Sequence, residues 1–187
     1  MWEEGGGWST LSEKLGHNLT ERFSPEVMRR LVDARSPLLF KAAEGGQLEM
    51  TQAFYNMLRA RTPNDAIRDF VNTAFKRGMA DEALPGLRVM ERLEADHIVA
   101  MKRITEMPGF GDLSYDNMLR VLNFKPNYTG LSKSANASKQ DLTFAQWVRH
   151  DKLGINVDPA FRARMMAQEA RLEPILQTFV QKLLKTQ

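Results

Sequence analysis

The sequence predicts an α+β protein, predominantly helical, in which a small strand-strand-helix core lies between a helical N-terminal cap and a long C-terminal helix. Three observations carry this. Apolar residues recur at helical spacing from about Leu11 to Leu93. Two β-like stretches, Asp96-His97-Ile98-Val99 and Lys125 to Leu131, break that pattern and precede a helix over Ser134 to Gln140. Asp158-Pro159 then opens a final helix, with an N-cap residue ahead of a proline at the first helical position. The corresponding division is 1–92, 93–157 and 158–187.

Within the first part, Ser24 before Pro25 sets an N-cap, and Val27, Met28, Leu31 and Val32 fall on one face. Leu48, Met50, Phe54, Met57 and Leu58 form the next stripe, and Ile67, Phe70, Val71, Ala74 and Phe75 follow Thr62-Pro63. Gly45-Gly46 and Gly78 read as turns. Stripes of this kind are core, so they are assigned no ligand. After Val99, Met101 to Met107 resumes a helical turn, Ser114 opens a helix ending near Asn123, and Thr143 to Arg149 forms a further amphipathic turn. In the last helix Phe161, Met165, Leu172, Ile175, Leu176, Phe179 and Leu183 keep helical spacing; Pro174 lies inside it, and a kink or break near Arg171 is expected. No period of 20–50 residues repeats, which argues against a solenoid.

With 43% hydrophobic and 26% charged residues, the composition is that of an ordinary globular protein. No apolar run approaches the length that spans a bilayer, so no membrane insertion is expected. There is no cysteine, which excludes disulfides and Cys-ligated metals. The opening Met1-Trp-Glu-Glu-Gly-Gly-Gly-Trp8 has acidic residues and glycines where a secretory signal has basic and then apolar ones. Export is therefore expected to use another route, and the flexible opening suits a fragment of a longer chain. The net charge is +3, but from Asn117 to Lys152 six basic residues stand against Asp141 and Asp151, a local +4. Concentrated positive charge favours a polyphosphate, although such a run is ordinarily a solvated face.

The chemistry-bearing residues are Asp96-His97, then Asn127 with Leu131, Ser132, Ala135, Asn136 and Lys139. A histidine can take a proton near neutral pH. Carboxylate and amide oxygens suit a hard cation, and lysines suit phosphate. A lone histidine is ordinarily a satisfied structural residue, and the asparagines here are ordinarily caps or turns. His17 and His150 have no constellation around them, and His150 is expected at a helix end.

This spacing resembles the HNH, or ββα-metal, nuclease superfamily: an Asp-His pair on one strand, then Asn, an apolar Leu, two Cys, a His or Asn, and a trailing Lys across a second strand and a short helix. Asp96-His97, Asn127, Leu131, Asn136 and Lys139 match in order, an H-N-N variant. The two Cys positions hold Ser132 and Ala135, so the family's structural zinc has no ligands and packing must replace it. The likeness covers roughly residues 93–150. The longer runs Glu94-Ala-Asp-His-Ile-Val, Gly109-Phe and Val121-Leu-Asn make it most similar to nuclease domains of bacterial polymorphic toxins and secreted antibacterial effectors.

The resemblance implies a metal-dependent endonuclease cleaving DNA with little sequence preference. His97 is the general base, and Asn127 orients its ring. Asp96 and Asn136 ligate a divalent cation, Mg²⁺ first, with Mn²⁺, Ni²⁺ or Zn²⁺ as alternatives. Lys125, Lys133, Lys139 and Arg149 are the expected nucleic-acid contacts. The resemblance also implies synthesis in a bacterial cytoplasm, signal-peptide-independent delivery into target cells, and an immunity protein that blocks the site. The rivals are a ribonuclease toxin on the same fold and a non-catalytic helical interaction module.

Overall fold

The computed structural model describes residues 23–43 and 48–187, and it is α+β with small two-stranded antiparallel sheets and a long C-terminal helix. Helix α1, Pro25–Asp33, starts where expected: the Ser24 side chain accepts from Val27 N, Pro25 follows, and Met28 and Val32 are buried. Beyond it the expectation of unbroken helical structure up to Leu93 fails. Leu48 and Met50 belong not to a helix but to strand β2, Leu48–Met50, paired with β1, Phe40–Ala42. The helical stripe begins only at α2, Gln52–Ala60, because Thr51 caps it by accepting from Phe54 N. Asn64 caps α3, Asp65–Val71, in the same way.

After α3, residues 79–89 form a hairpin of β3, Met79–Ala80, and β4, Arg88–Val89. Gly78 and Gly86 have φ of 85° and 88°, a conformation that favours glycine, and Asp81 Oδ1 accepts from the amides of Ala83 and Leu84 to clamp the turn. This local turn chemistry overrides the apolar spacing. Residues 1–22, Gly45-Gly46 and His17 lie outside the described residues.

Strand β5, Glu94–His97, pairs antiparallel with β6, Tyr128–Leu131, placing Glu94 opposite Leu131, Asp96 opposite Thr129 and His97 opposite Tyr128. Between them lie α4, Met101–Thr105, and α5, Tyr115–Leu122, the latter capped by Ser114. The second strand begins three residues later than the sequence suggests. Pro126 has no amide to give a ladder, and Lys125–Asn127 forms a 3₁₀ turn closed by Asn127 N on Phe124 O. Helix α6, Lys133–Lys139, follows β6 directly. His150 lies in a hairpin, β7 Arg149–His150 with β8 Ile155–Asn156, rather than at a helix end.

Helix α7, Pro159–Leu184, runs through Pro174 without a break near Arg171, which leaves a kink as the remaining form of that expectation. Its stripe of Phe161, Met165, Leu172, Leu176, Val180 and Leu183 is buried on both sides of the proline. Six such side chains stabilise by on the order of 10 kcal/mol, well over the ~3 kcal/mol an interior proline costs. The stripe covers Met118, Val121 and Leu122 of α5 in one contiguous core that extends to Phe144 and Trp147. No helix among the described residues is long and apolar enough to cross a membrane.

Gly130 sits where β6 meets α3 and Leu93. A Cβ there would lie 2.8 Å from Leu93 Cδ1 and 3.2 Å from the Val71 carbonyl oxygen. Gly130→Ala is expected to lower stability by about 1–3 kcal/mol, the range for overpacking, read as a lower midpoint in urea unfolding with an unchanged slope.

Candidate active site

On β5, residues two apart share a face, so Glu94 and Asp96 look the same way. On α6, residues three apart share a face, so Asn136 and Lys139 do too. The two faces meet rung by rung: the Asn136 amide donates to Glu94 Oε2, and Lys139 Nζ lies 2.9 Å from Asp96 Oδ2. Lys139 is 1% exposed and stands over the Phe144 ring. It is therefore an internal ion-pair partner and not the surface phosphate contact expected from its place in the motif. Ser132 caps α6 by accepting from Ala135 N, and Ala135 is fully buried, so the two family cysteine positions serve capping and packing.

Asp96 Oδ2 lies within ion-pair distance of Lys139 yet has no aligned hydrogen-bond donor. Burial pushes its carboxyl above the usual carboxylate range, against the pull of Lys139.

His97 Nε2 lies 3.0 Å from the Leu122 carbonyl oxygen and 2.6 Å from Tyr128 Oη. A lone pair on Nε2 would face the carbonyl's own lone pairs, so the neutral ring carries its proton there and leaves Nδ1 as the basic nitrogen. Tyr128 Oη also reaches Thr62 Oγ1 at 2.7 Å and Leu122 O at 2.8 Å, which fixes the whole group. Burial first, then the nearby Lys139 and Arg59 charges, push the imidazole pKa down to about 4 against the Leu122 hydrogen bond. The ring is neutral at pH 7.

Asn127 makes no hydrogen bond to the His97 ring. It is fully buried, its Oδ1 accepts from Val99 N at 2.8 Å, its Nδ2 donates to Val99 O at 3.1 Å, and its carbonyl accepts from Ile98 N. A carboxamide presents one donor and one acceptor like a peptide group, so it prolongs the β5–β6 ladder one step and holds the chain leaving His97. The expected ring contact is replaced by a backbone clamp.

Glu94, Asp96, His97, Asn136 and Lys139 all line one cleft of about 650 Å³. The β5–β6 register is regular, and adjacent Asp96 and His97 both line the cleft because it wraps the end of β5. Lys133, Lys125 and Arg149 do not line it. Lys133 and Arg149 are exposed elsewhere, and Lys125 stands over Phe70. The cleft's cations come instead from Arg59, Arg68 and Arg92, on α2, α3 and the residues before β5. No local signal marks these arginines, because they converge only through packing. Glu94 was legible from strand alternation, being two residues before Asp96.

Breaking a buried ion pair on one side costs far more than replacing both partners. Lys139→Ala is expected to destabilise by about 3–5 kcal/mol, and Asp96→Asn with Lys139→Met to recover most of that. Chemical unfolding of both variants checks this; an equal loss in the double variant would show that the pair is not what makes the single change costly.

No family model matches the chain, and no solved structure matches it significantly. A stretch of 96 residues is 35% identical to the human (Homo sapiens) prostaglandin F2 receptor negative regulator, covering 51% of this chain and 10% of that protein. The chain thus spans about a tenth of the length of that curated relative.

Proposed function

We propose that the chain is a metal-dependent endonuclease of the H-N-N type, acting on DNA ahead of RNA with little sequence preference, as an antibacterial toxin or effector domain held in check by an immunity protein. The observation that supports this reading is the pairing of a neutral, tautomer-fixed His97 with Glu94, Asp96 and Asn136 on the wall of one arginine-rimmed cleft.

The donor chemistry fits a hard cation. Asp96 Oδ2, held 2.9 Å from Lys139, shares the wall with the Asn136 and Glu94 oxygens, and Mg²⁺-type ions need few protein ligands beside water. Lys139 competes for Asp96. Among the described residues, no group of three or more His, Asp or Glu side chains is placed to hold a metal ion, so a cation here would depend on water and phosphate for the rest of its shell. When bound, the cation supplies positive charge to the phosphate and to the leaving 3′ oxygen.

The chain's own residues do the rest. His97 accepts a proton at Nδ1 from the attacking water, while Leu122 O and Tyr128 hold the opposite nitrogen. Asn127 fixes the backbone at Ile98-Val99 and so the position of the ring. Arg59, Arg68 and Arg92 draw in and hold phosphates, because each neutralised phosphate releases condensed counterions.

Plasmid nicking in Mg²⁺, with RNA alongside, tests the reading. Chelator is expected to stop cleavage and leave the unfolding transition in place. His97→Ala should lower the cleavage rate by about 10²–10⁴-fold, the usual worth of a general base, with folding retained, because Tyr128 still satisfies Leu122 O. Undiminished nicking by His97→Ala would remove it as the base, and no cleavage of either nucleic acid would favour the interaction-module reading. Asn127→Ala should lower both stability and rate, leaving two buried backbone groups at Val99 unpaired at about 1–3 kcal/mol each.

A further inference from the structure

A second groove, of about 730 Å³, lies beside the cleft and is lined by Arg61, Asn64, Arg120, Phe124, Lys125 and Phe179, among others. The two are contiguous in the chain: Thr62 and Pro63 line the first while Arg61 and Asn64 line the second, so the α2–α3 connection forms the ridge between them. Their charge differs. In the first, Arg92 pairs with Asp69 and Arg68 lies 3.9 Å from Asp65, which leaves Arg59 as its lining arginine without a carboxylate partner among the described residues. In the second, Arg61, Arg120 and Lys125 have no carboxylate partner among the described residues, and the lining carboxylate Asp116 is taken by Arg29 at 2.7 Å.

Phe124 and Phe179 stand half-buried in the groove with ring centroids 5.5 Å apart. Exposed Arg120 and Lys125, with half-buried Arg61, beside half-buried aromatic faces match the chemistry of a nucleic-acid strand, phosphates on the one and bases or sugars on the other. An acidic protein would match the charge but has no need of continuity with the cleft.

We propose that this groove carries the nucleic-acid strand leaving the cleft, with Arg61, Arg120 and Lys125 holding its phosphates. The inference rests on the nuclease reading for its substrate, but it concerns binding alone. It gives the N-terminal part of the chain a direct share in substrate recognition, through the ridge that carries Arg61.

The test is fluorescence anisotropy of a labelled oligonucleotide in chelator, over a range of salt, so that no cleavage enters. Removing all three charges with Arg61→Gln, Arg120→Gln and Lys125→Gln is expected to weaken binding by tenfold or more at low salt. It should reduce the slope of log affinity on log salt by about 2–3, near one for each lost phosphate contact. Lys76→Gln, Arg77→Gln and Lys152→Gln together, the same charge change outside both grooves, should leave the slope as it is. In the unaltered protein, saturating oligonucleotide should protect Lys125 from acetylation more than Lys76, which keeps the test alive if the triple variant folds poorly. Equal effects of the two triple variants, unprotected Lys125, or no oligonucleotide binding at all would overturn the proposal. So would protection of Lys125 only by an acidic protein. The nuclease reading is decided separately by plasmid nicking: binding changes without any nicking would sink that reading and leave the groove's role standing.

Discussion

The geometry of the site depends on the register of β5 against β6. Strand side chains alternate with a period of two, so a slip of one residue would turn Glu94 and Asp96 away from α6 and bring His97 and Ala95 toward it. The register is held at both ends. Asn127 extends the ladder past His97 by pairing with both backbone groups of Val99, and at the other end Gly130 lets β6 approach Leu93 and the Val71 carbonyl more closely than a Cβ allows. Small local choices therefore decide which side chains the cleft receives.

Two opposite electrostatic solutions lie side by side on β5. Asp96 is buried with a cation, Lys139, and remains tied to α6. His97 is buried with neutral partners, a carbonyl and a phenol, and is pushed toward its uncharged form. The first binds helix to strand and so closes the strand-strand-helix unit. The second keeps the ring uncharged at neutral pH and makes it a weaker base than a free imidazole. Burial is the common cause, and the identity of the partner decides its outcome.

The N-terminal helices do more than cover the core. Arg59 and Arg68 reach the cleft from α2 and α3, Thr62 joins the hydrogen-bonded group around Tyr128, and the Asn64 backbone N–H donates to Asn123 Oδ1. A division of the chain into a cap and a strand-strand-helix unit describes the sequence, whereas the lining of the cleft draws on both. The long α7 supports this from behind: its buried stripe, continuous through Pro174, backs α5, whose last carbonyl at Leu122 fixes the tautomer of His97.

Short-range signals made much of the fold legible. Ser24-Pro25, Ser114 and Asp158-Pro159 cap their helices as their side chains dictate, because a cap is a contact between a residue and an amide three positions on. The strand-strand-helix order was legible too, from the breaks in helical spacing at Asp96-His97 and before Leu131. Other features came only from tertiary structure. Helical spacing across Leu48-Met50 was overruled by strand pairing, and a proline expected to break α7 was overruled by packing on both sides of it. Lys139 looks like any surface lysine until α6 is laid on β5 and its charge is buried against Asp96. Arg59, Arg68 and Arg92 share no motif. Sequence encodes what a residue does to its near neighbours, while burial and the meeting of distant side chains exist only once the chain is packed.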